Sequence, residues 1–195
     1  MSNHNDKGEL NFLPEDYKPP STTGGWLQPE AGETHKIRIM ATMSNPAQGV
    51  LCWEAWANKQ PLRQPYSTKG FDICQGYDDN KKPKHSWIFQ VYHYDSESAM
   101  IWAVPQRGIQ EELRAYTMDS DWGDPRNYDL KISREGTALD TKWRLVTGSN
   151  KSAPSEKMFG IMEEARIDVS QVFAKDGFGD NPFGALTSKT DDIPF

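Results

Sequence analysis

The sequence predicts a mainly β protein with disordered ends, and three observations lead to this prediction. Short segments in which apolar and polar residues alternate recur along the middle of the chain, as in half-buried strands. Clusters of Pro, Gly, Asn and Asp separate these segments, as in turns. Hydrophobic residues make up only 36% of the 195 residues, so part of the chain is too polar to be packed in a core. The length suits one domain with tails.

The first 24 residues predict a flexible N-terminal arm, because they are polar, Pro-rich and end in a run of Pro, Ser, Thr and Gly. Ordered structure is expected to start at Trp26. Residues 35–40 alternate polar and apolar side chains and predict a strand, and residues 50–56 predict a second one. Residues 58–86 mix Pro and Gly with six basic side chains, which predicts a long surface loop or a loose hairpin.

Residues 85–94 give the strongest strand signal in the chain. Trp87 and Phe89 fall on one face of such a strand, and Tyr92 and Tyr94 fall on the other. We expect the first face to point into the core and the two tyrosines to point towards a binding groove.

The second half of the chain predicts three more strands and two helices. Residues 99–104 form the returning strand of a hairpin, and residues 128–133 and 142–146 predict a further pair. Residues 109–116 place their apolar side chains on one helical face. Residues 155–166 predict a second helix, whose first residue is a serine suited to be the N-cap.

Five to six strands with a short helix before the last pair suit a small Greek-key barrel. The oligonucleotide/oligosaccharide-binding fold, or OB-fold, is the commonest such barrel with this number of strands. We therefore predict a mainly β, five-stranded OB-fold with short helices and disordered tails. The chain divides into a flexible arm at 1–24, the barrel at 25–148, a helical extension at 149–173 and a disordered acidic tail at 174–195.

The net charge of −6 argues at first sight against nucleic acid as a ligand, but the charge is unevenly distributed. Residues 1–30 carry 2 basic and 5 acidic side chains, and residues 152–195 carry 4 and 8. Residues 31–151 carry 16 basic and 15 acidic side chains. Phosphate binding depends on a local cationic patch rather than on the total, so the middle of the chain remains suited to it.

Cysteine content and hydropathy bound the setting of the protein. Cys52 and Cys74 are too few for a disulfide framework. The polar first residues offer no signal peptide, and no apolar run approaches the length of a membrane span. The expectation is a protein of the reducing cytoplasm without a membrane partner.

Binding of single strands irrespective of sequence requires cations that follow the phosphates and flat side chains that stack on the bases. The middle of the chain supplies both kinds of side chain. The competing interpretation is core packing for each aromatic ring and a solvated surface for the lysines. The side chains predicted to contact DNA are Trp53, Trp56, Lys59, Arg63, Tyr66, Lys69, Phe71, Lys81, Lys82, Lys84, Tyr92 and Tyr94.

The last five residues are Asp191, Asp192, Ile193, Pro194 and Phe195. Pro194 pushes Ile193 towards an extended conformation, so a partner can bury the two apolar side chains while basic groups bind the carboxylates. A frayed polar terminus is the competing interpretation. The segment resembles the C-terminal tip of bacterial single-stranded DNA-binding proteins. In that family the tip docks replication, recombination and repair proteins, and the resemblance implies the same role here.

A second resemblance covers about residues 26–147. Residues 121–132 place a Gly-Asp-Pro turn before a strand and are similar to the late strands of phage helix-destabilising, single-stranded DNA-binding proteins. The resemblance implies an OB-fold that coats single strands during phage replication in the host cytoplasm. It also implies further contacts to DNA, in the same groove as the loop lysines, from Arg126, Lys131, Arg134, Lys142 and Arg144.

The predicted function is sequence-independent binding of single-stranded DNA in replication, recombination and repair, with recruitment of partners by the tip. Because a tethered acidic peptide has a high effective concentration near its own barrel, we expect the tip to compete weakly with DNA. The alternative is an interaction module that mimics the bacterial tip and captures replication and repair proteins without binding DNA. The net acidity of the chain favours this alternative.

No cofactor, metal or catalytic group is predicted. The side chains considered for zinc are Cys52, Cys74, His85 and His93. They contain no Cys-x-x-Cys pair, and the two histidines would lie roughly 26 Å apart on one strand. Three carboxylates that a Mg²⁺-dependent nuclease would need lie in a turn-rich stretch, where Asp is favoured for turn chemistry. They are Asp119, Asp121 and Asp124.

Overall fold

The computed structural model describes residues 25–57, 60–72, 77–78, 80–137 and 140–174. The predicted arm, Lys59, Cys74 and the predicted tail from residue 175 onwards lie outside these ranges. The described residues form seven strands and two α-helices. Neither helix has the length and apolarity to cross a membrane. In chain order they are β1 (Thr34–Ile39), β2 (Gly49–Ala57), β3 (Gln60–Pro65), β4 (Lys84–His93), β5 (Ser98–Val104), α1 (Arg107–Met118), β6 (Tyr128–Glu135), β7 (Lys142–Lys151) and α2 (Glu156–Ala165).

The strands form an antiparallel sheet in the order β3-β2-β4-β1-β6-β7, and β5 pairs with the other edge of β4. The mainly β prediction is confirmed, and each of the six predicted strands overlaps an observed one. The predicted count of five or six strands is wrong, because the sheet has seven. The described pairing leaves this sheet open rather than closed into a barrel.

The strand missing from the prediction is β3, in the stretch assigned to a loop or loose hairpin. Its sequence, Gln-Pro-Leu-Arg-Gln-Pro, contains two prolines, which argue against a central strand. β3 pairs with β2 alone. It is therefore an edge strand, where a proline removes no ladder hydrogen bond on the unpaired side. The resulting β2–β3 hairpin carries Trp53, Trp56 and Arg63, three of the predicted DNA contacts.

β4 joins the rest of the sheet. Its N-terminal half pairs with β2 and its C-terminal half with β1. β5 runs along the other edge, opposite residues 87–93. Both faces of β4 are covered as well, because Phe89 and Val91 belong to one apolar core and Ile88 belongs to another. β4 is therefore paired along both edges and covered on both faces.

The two cores lie on opposite faces of β4. The first is closed by α1 and contains Leu27, Ile37, Ile39, Ala41, Phe89, Val91, Trp102, Val104, Ile109, Leu113, Tyr128, Leu130, Ile132 and Leu145. The second contains Val50, Cys52, Ile88, Ala99, Ile101, Ala165, Ile167, Val169 and Val172. Gln90 of β4 ties this second core together, since its amide donates to the carbonyl oxygens of Ala47 (3.0 Å) and Ile167 (2.8 Å). The predicted helical extension is thus packed onto the sheet.

Both predicted helices are present. α1 buries Ile109 and Leu113 in the first core, on the face that the apolar spacing predicts. α2 begins after Ser155, whose Oγ accepts a hydrogen bond from the Met158 N–H (3.4 Å). The predicted N-cap is therefore confirmed.

A buried ion pair joins β1 to β6. Arg38 is 3% exposed, pairs with Asp129 and donates to the Ser152 carbonyl oxygen (2.6 Å). Burial acts to raise the pKa of Asp129, but hydrogen bonds from Lys36, Tyr94 and Arg38 outweigh it and hold this pKa below its usual value. Because one carboxylate receives three donors, removal of any single partner leaves it still hydrogen-bonded.

We predict that Gly136→Ala destabilises the fold. Gly136, in the β6–β7 turn, has a φ of 71°, and an added Cβ would lie 2.5 Å from the Asp140 carbonyl oxygen. Left-handed backbone and contact with rigid main chain together predict a loss of about 1–3 kcal/mol in unfolding free energy, measured by urea denaturation.

Gly160→Ala in α2 is the matched control. Apart from its own helix, no described part of the chain comes within 4 Å of the added Cβ. Alanine there should raise the free energy of unfolding by about 0.5–1 kcal/mol. Equal effects of the two substitutions would contradict the role assigned to the turn.

Candidate nucleic-acid interface

One face of the sheet carries a cluster of rings, which we call the aromatic face: Trp53 of β2, Tyr66 after β3, and His85 and Trp87 of β4. The ring centroids of Trp53 and Tyr66 are 5.7 Å apart and the planes are inclined by 29°, so the rings are stacked. The His85 ring lies 5.8 Å from Trp53 and 4.7 Å from Tyr66. Tyr66 is 45% exposed, so much of its ring is open to a ligand.

The strand register dictates this cluster. Trp53 pairs with His85, and Leu51 pairs with Trp87, across β2 and β4. Residues opposite each other in antiparallel strands project from the same face. The Trp53 indole N–H also donates to the Ser67 carbonyl oxygen (2.9 Å). The rings are thus held in place without a ligand, which reduces the entropy lost on binding.

The aromatic face adjoins a cleft of about 390 Å³ beside α1. His85 and Trp87 line it, and Lys84, Arg107 and Arg114 bring positive charge to it. The two arginines are seven residues apart and therefore lie on the same side of the helix. The cleft combines flat rings with cations.

Gln110 fixes α1 against these rings. Its buried amide donates to the carbonyl oxygens of Val104 (2.6 Å) and His85 (3.0 Å). Burial lowers the pKa of His85, so its imidazole is neutral near pH 7. It therefore contributes a flat ring rather than a charge to the cleft.

A second cleft of about 560 Å³ adjoins the first, because Trp87 and Arg114 line both. It is largely apolar, with Met43 and Met118 exposed along it and Arg126 at its border. We call the aromatic face and the two clefts together the binding track.

Four basic side chains border the binding track: Lys84, Arg114, Arg107 and Arg126. The last two are paired with the carboxylates of Glu111 and Asp124, respectively. Lys84 and Arg114 form no ion pair with any residue that the structure describes. Without an ion-pair partner among the described residues, these two cations are the ones on this surface best able to attract a phosphate.

Other predicted contacts of the hairpin region lie elsewhere. Trp56 is 40% exposed and Lys81 lies over its ring at 5.5 Å. Trp56 is three residues from Trp53 on the same strand, so it projects from the opposite face. Arg63 is a structural side chain, because it pairs with Glu54 at 2.7 Å.

The loop after the hairpin is held to β3 by the Gln64 side chain, which accepts from the Asp72 N–H (2.9 Å) and donates to the Asp72 carbonyl oxygen (3.0 Å). Phe71 contacts Tyr77, with ring centroids 5.9 Å apart. The exposed cations of this region are Lys69, Lys81 and Lys82, of which Lys81 pairs with Asp78 (3.8 Å). They are available to a ligand, but no described contact joins them to the aromatic face.

The expectation that Tyr92 faces a groove is corrected by the structure. Tyr92 is 3% exposed, because its face of β4 is covered by the second core. Tyr94 is half-buried, and its hydroxyl donates to Asp129 Oδ1 (2.5 Å). Burial, followed by this hydrogen bond, raises the pKa of Tyr94 to about 12. Both rings serve the framework in this structure.

The cations implied by the phage resemblance do not share one groove. Lys131, Lys142 and Arg144 are exposed together on the outer face of β6 and β7. Arg134 is half-buried, with its guanidinium 5.7 Å from the ring of a β7 tryptophan. Of the five, Arg126 is the one that lines the binding track. The predicted set is therefore divided between several surfaces.

Four residues of the binding track were missed by the sequence reasoning. The sequence predicts a core position for Trp87 and considers His85 for zinc alone, and it gives no role to Arg107 and Arg114 of α1. The seven-residue spacing of the two arginines is a signal that they share a helical face. Nothing in the sequence shows that this face lies next to β4.

Two of the three carboxylates considered for a nuclease have other partners. Asp119 Oδ1 accepts from the N–H groups of Asp121 (2.7 Å) and Trp122 (3.2 Å), as in an Asp-initiated turn. Hydrogen bonds from Arg126 hold the pKa of Asp124 below its usual value. The arrangement fits turn chemistry better than metal binding.

One group of potential metal ligands comes together among the described residues: His35, His93 and Asp95. The sequence reasoning compared His93 with the cysteines and with His85 on the same strand, and so missed a partner on another strand. Cys52 is buried, and burial raises the pKa of its thiol to about 12. It therefore stays protonated at neutral pH and is a poor ligand.

A scan against protein-family models finds no match for the sequence, and a search of curated proteins finds none either. Function must therefore be argued from the chemistry of the site. That site offers stacked rings beside two adjacent clefts, of which one is lined by basic side chains and the other is largely apolar.

Proposed function

We propose that the protein binds single-stranded DNA irrespective of sequence, with the binding track as its contact surface. The observation that supports this most directly is the exposed stack of Trp53 and Tyr66 beside the cation-lined cleft. Rings stack on unpaired bases while cations neutralise the adjacent phosphates. In a duplex the base faces are stacked on one another, so a ring stack open to solvent favours single strands.

The strand pairing supports an OB-like arrangement. Five strands remain when the β2–β3 hairpin is set aside, and among them β4–β5 and β6–β7 are antiparallel pairs. β1 pairs with both β4 and β6, which links the two hairpins as in a Greek key. α1 contacts both β5 and β7, at the open side of the sheet. This pairing supports the proposal of an OB-like, partly open barrel.

The overall acidity of the chain does not oppose this function. Acidic residues outnumber basic ones in the two end segments, whereas residues 31–151 are balanced. Lys84 and Arg114 then create a local positive potential at the binding track, and phosphate attraction follows the local field. The negative charge of the two end segments also disfavours binding of DNA to those segments themselves.

Recruitment of partner proteins is the second part of the proposed function. The tip at residues 191–195 combines carboxylates with Ile-Pro-Phe, a composition suited to capture by a basic, apolar pocket. A protein that coats single strands and presents such a tip would bring replication, recombination or repair proteins to them. The tip lies outside the described residues, so this part rests on the sequence.

We predict that polythymidine oligonucleotides quench the tryptophan fluorescence of the wild type and that Tyr66→Ala weakens this binding about tenfold to a hundredfold. Loss of one base–aromatic stack, about 1–3 kcal/mol, is the reason. Trp53 remains as a reporter in this variant. A fluorescence titration in low-salt buffer measures the change.

Phe159→Ala is the control for this titration, because Phe159 is an aromatic side chain of α2 that is 54% exposed. It should bind like the wild type. Unchanged emission of the wild type on addition of oligonucleotide would overturn the proposed function and favour the alternative interaction module. Equal losses in the two variants would place the contact outside the aromatic face.

We predict that Arg114→Ala makes the salt dependence of binding shallower. Each phosphate neutralised on a single strand contributes about −0.7 to the slope of log K against log[salt]. Loss of one contact should therefore change the slope by about 0.7, measured by repeating the titration across salt concentrations. Arg144→Ala, an exposed arginine of β7, should leave the slope unchanged. The reverse result would move the interface to the outer face of β6 and β7.

We predict that deletion of residues 187–195 tightens binding to single strands, most visibly at low salt. The deleted segment carries the adjacent carboxylates of Asp191 and Asp192 together with Lys189. The two carboxylates compete with DNA for the same cations when tethered nearby. Replacement of Asp191 and Asp192 by Asn should reproduce part of the effect. Unchanged or weaker affinity after the deletion would rule out this competition.

A further inference from the structure

Two histidines from neighbouring strands meet at the end of β4 that is remote from His85. His35 Nδ1 of β1 lies 2.9 Å from His93 Nε2 of β4. An Asp95 carboxylate oxygen lies 3.7 Å from the same His93 nitrogen. One ligand atom from each of the three residues falls within 4.8 Å of the others. Three groups that bind metals therefore converge on one point.

The strand register produces this convergence. Ile37 pairs with His93, and the Tyr94 N–H donates to the Lys36 carbonyl oxygen (3.0 Å), which extends the ladder. The extension places His35 opposite Asp95. His35 is two residues from Ile37, the partner of His93, so His35 and His93 project on the same side of the sheet. Asp95 lies in the turn after β4, and its carboxylate reaches the same point.

We propose that His35, His93 and Asp95 form a binding site for a divalent transition-metal ion of the zinc or nickel type. Imidazole nitrogens together with a carboxylate suit these ions, whereas Mg²⁺ and Ca²⁺ prefer oxygen ligands throughout. Three protein ligands leave a further position for water. The site is independent of the proposed binding of DNA.

The outer nitrogens of both rings have the partners that a metal site requires. His35 Nε2 lies 3.0 Å from Glu33 Oε2, and His93 Nδ1 lies 2.7 Å from Ser96 Oγ. Metal-bound histidines characteristically donate their second ring N–H to an oxygen of this kind. The Ser96 N–H approaches His93 Nδ1 (3.4 Å), which favours a proton on His93 Nε2, shared with His35 Nδ1 across the 2.9 Å contact. Metal binding therefore requires this proton to leave His93 Nε2 and Nδ1 to donate to Ser96 Oγ, so that both inner nitrogens present lone pairs to the ion.

The fit to a metal requires a small movement. With metal–nitrogen distances of 2.0–2.1 Å and tetrahedral angles, two ligand nitrogens are about 3.3 Å apart. The observed separation is 2.9 Å, so the rings must move apart by about 0.4 Å. The Asp95 side chain is 67% exposed whereas that of His93 is 7% exposed. Asp95 therefore offers both an entry path and an adjustable third ligand.

Metal binding would connect two parts of the chain that are distant in sequence. His35 and His93 are 58 residues apart, and Asp95 belongs to the β4–β5 turn. An ion that binds the folded chain and not the unfolded one raises its stability. The expected consequence is a higher thermal midpoint in the presence of the metal.

The test uses the full chain, freed of metal with a chelator and then dialysed. We expect calorimetric titration with Zn²⁺ to show one ion bound per chain, and Co²⁺ to develop visible absorption typical of bound cobalt. His35→Gln and Asp95→Asn should each weaken Zn²⁺ binding by more than tenfold and abolish the thermal shift. Both residues are at least partly exposed, so the variants are expected to fold.

The chain has four histidines, and the other two provide controls. His85→Gln and His4→Gln should bind Zn²⁺ like the wild type, and Glu33→Gln should weaken binding by about tenfold to a hundredfold. A wild type that binds no Zn²⁺ would show that the histidines form a hydrogen bond only. Equal binding by the wild type and by both ligand variants would place the metal elsewhere. Either result overturns the proposal.

Discussion

The burial of β4 on both faces, together with its pairing on both edges, is the constraint on which the rest of the structure depends. Phe89 and Val91 require one apolar layer and Ile88 requires another, so α1 must cover one side and the segment with α2 the other. A strand enclosed in this way reads as a nearly continuous apolar run. The chain after β7 is therefore needed to complete the fold rather than attached to it.

The sequence predicts most of the fold because the apolar residues of most elements recur at the spacing typical of a strand or a helix. Alternation identifies six strands, and the spacing of Ile109 and Leu113 identifies the buried face of α1. β3 escapes because an edge strand can contain prolines and needs only one partner. The orientation of Tyr92 is mispredicted for another reason. Alternation of side chains separates the two faces of β4, but it does not show that apolar cores cover both of them.

The sequence predicts which types of side chain form the candidate site, but not which of them lie next to each other. Residue types alone indicate rings and cations in the middle of the chain, and Trp53, Tyr66 and Lys84 are found from them. The remaining members of the track depend on which elements become neighbours. Arg114 reaches β4 because Gln110 bonds to two strand carbonyls, and no local pattern encodes such a contact. The same holds for His35, whose partner is 58 residues away.

The enclosure of β4 also explains where its chemistry can lie. Its middle is covered by the two cores, and Phe89 reaches only the floor of the second cleft. Most of its side chains that are open to a ligand therefore lie near its ends. At the N-terminal end, pairing with β2 carries His85 and Trp87 beside Trp53 and the cations of α1. At the C-terminal end, pairing with β1 brings His93 to His35. One rigid strand thus holds both groups in fixed positions, and a ligand at one end need not disturb the other.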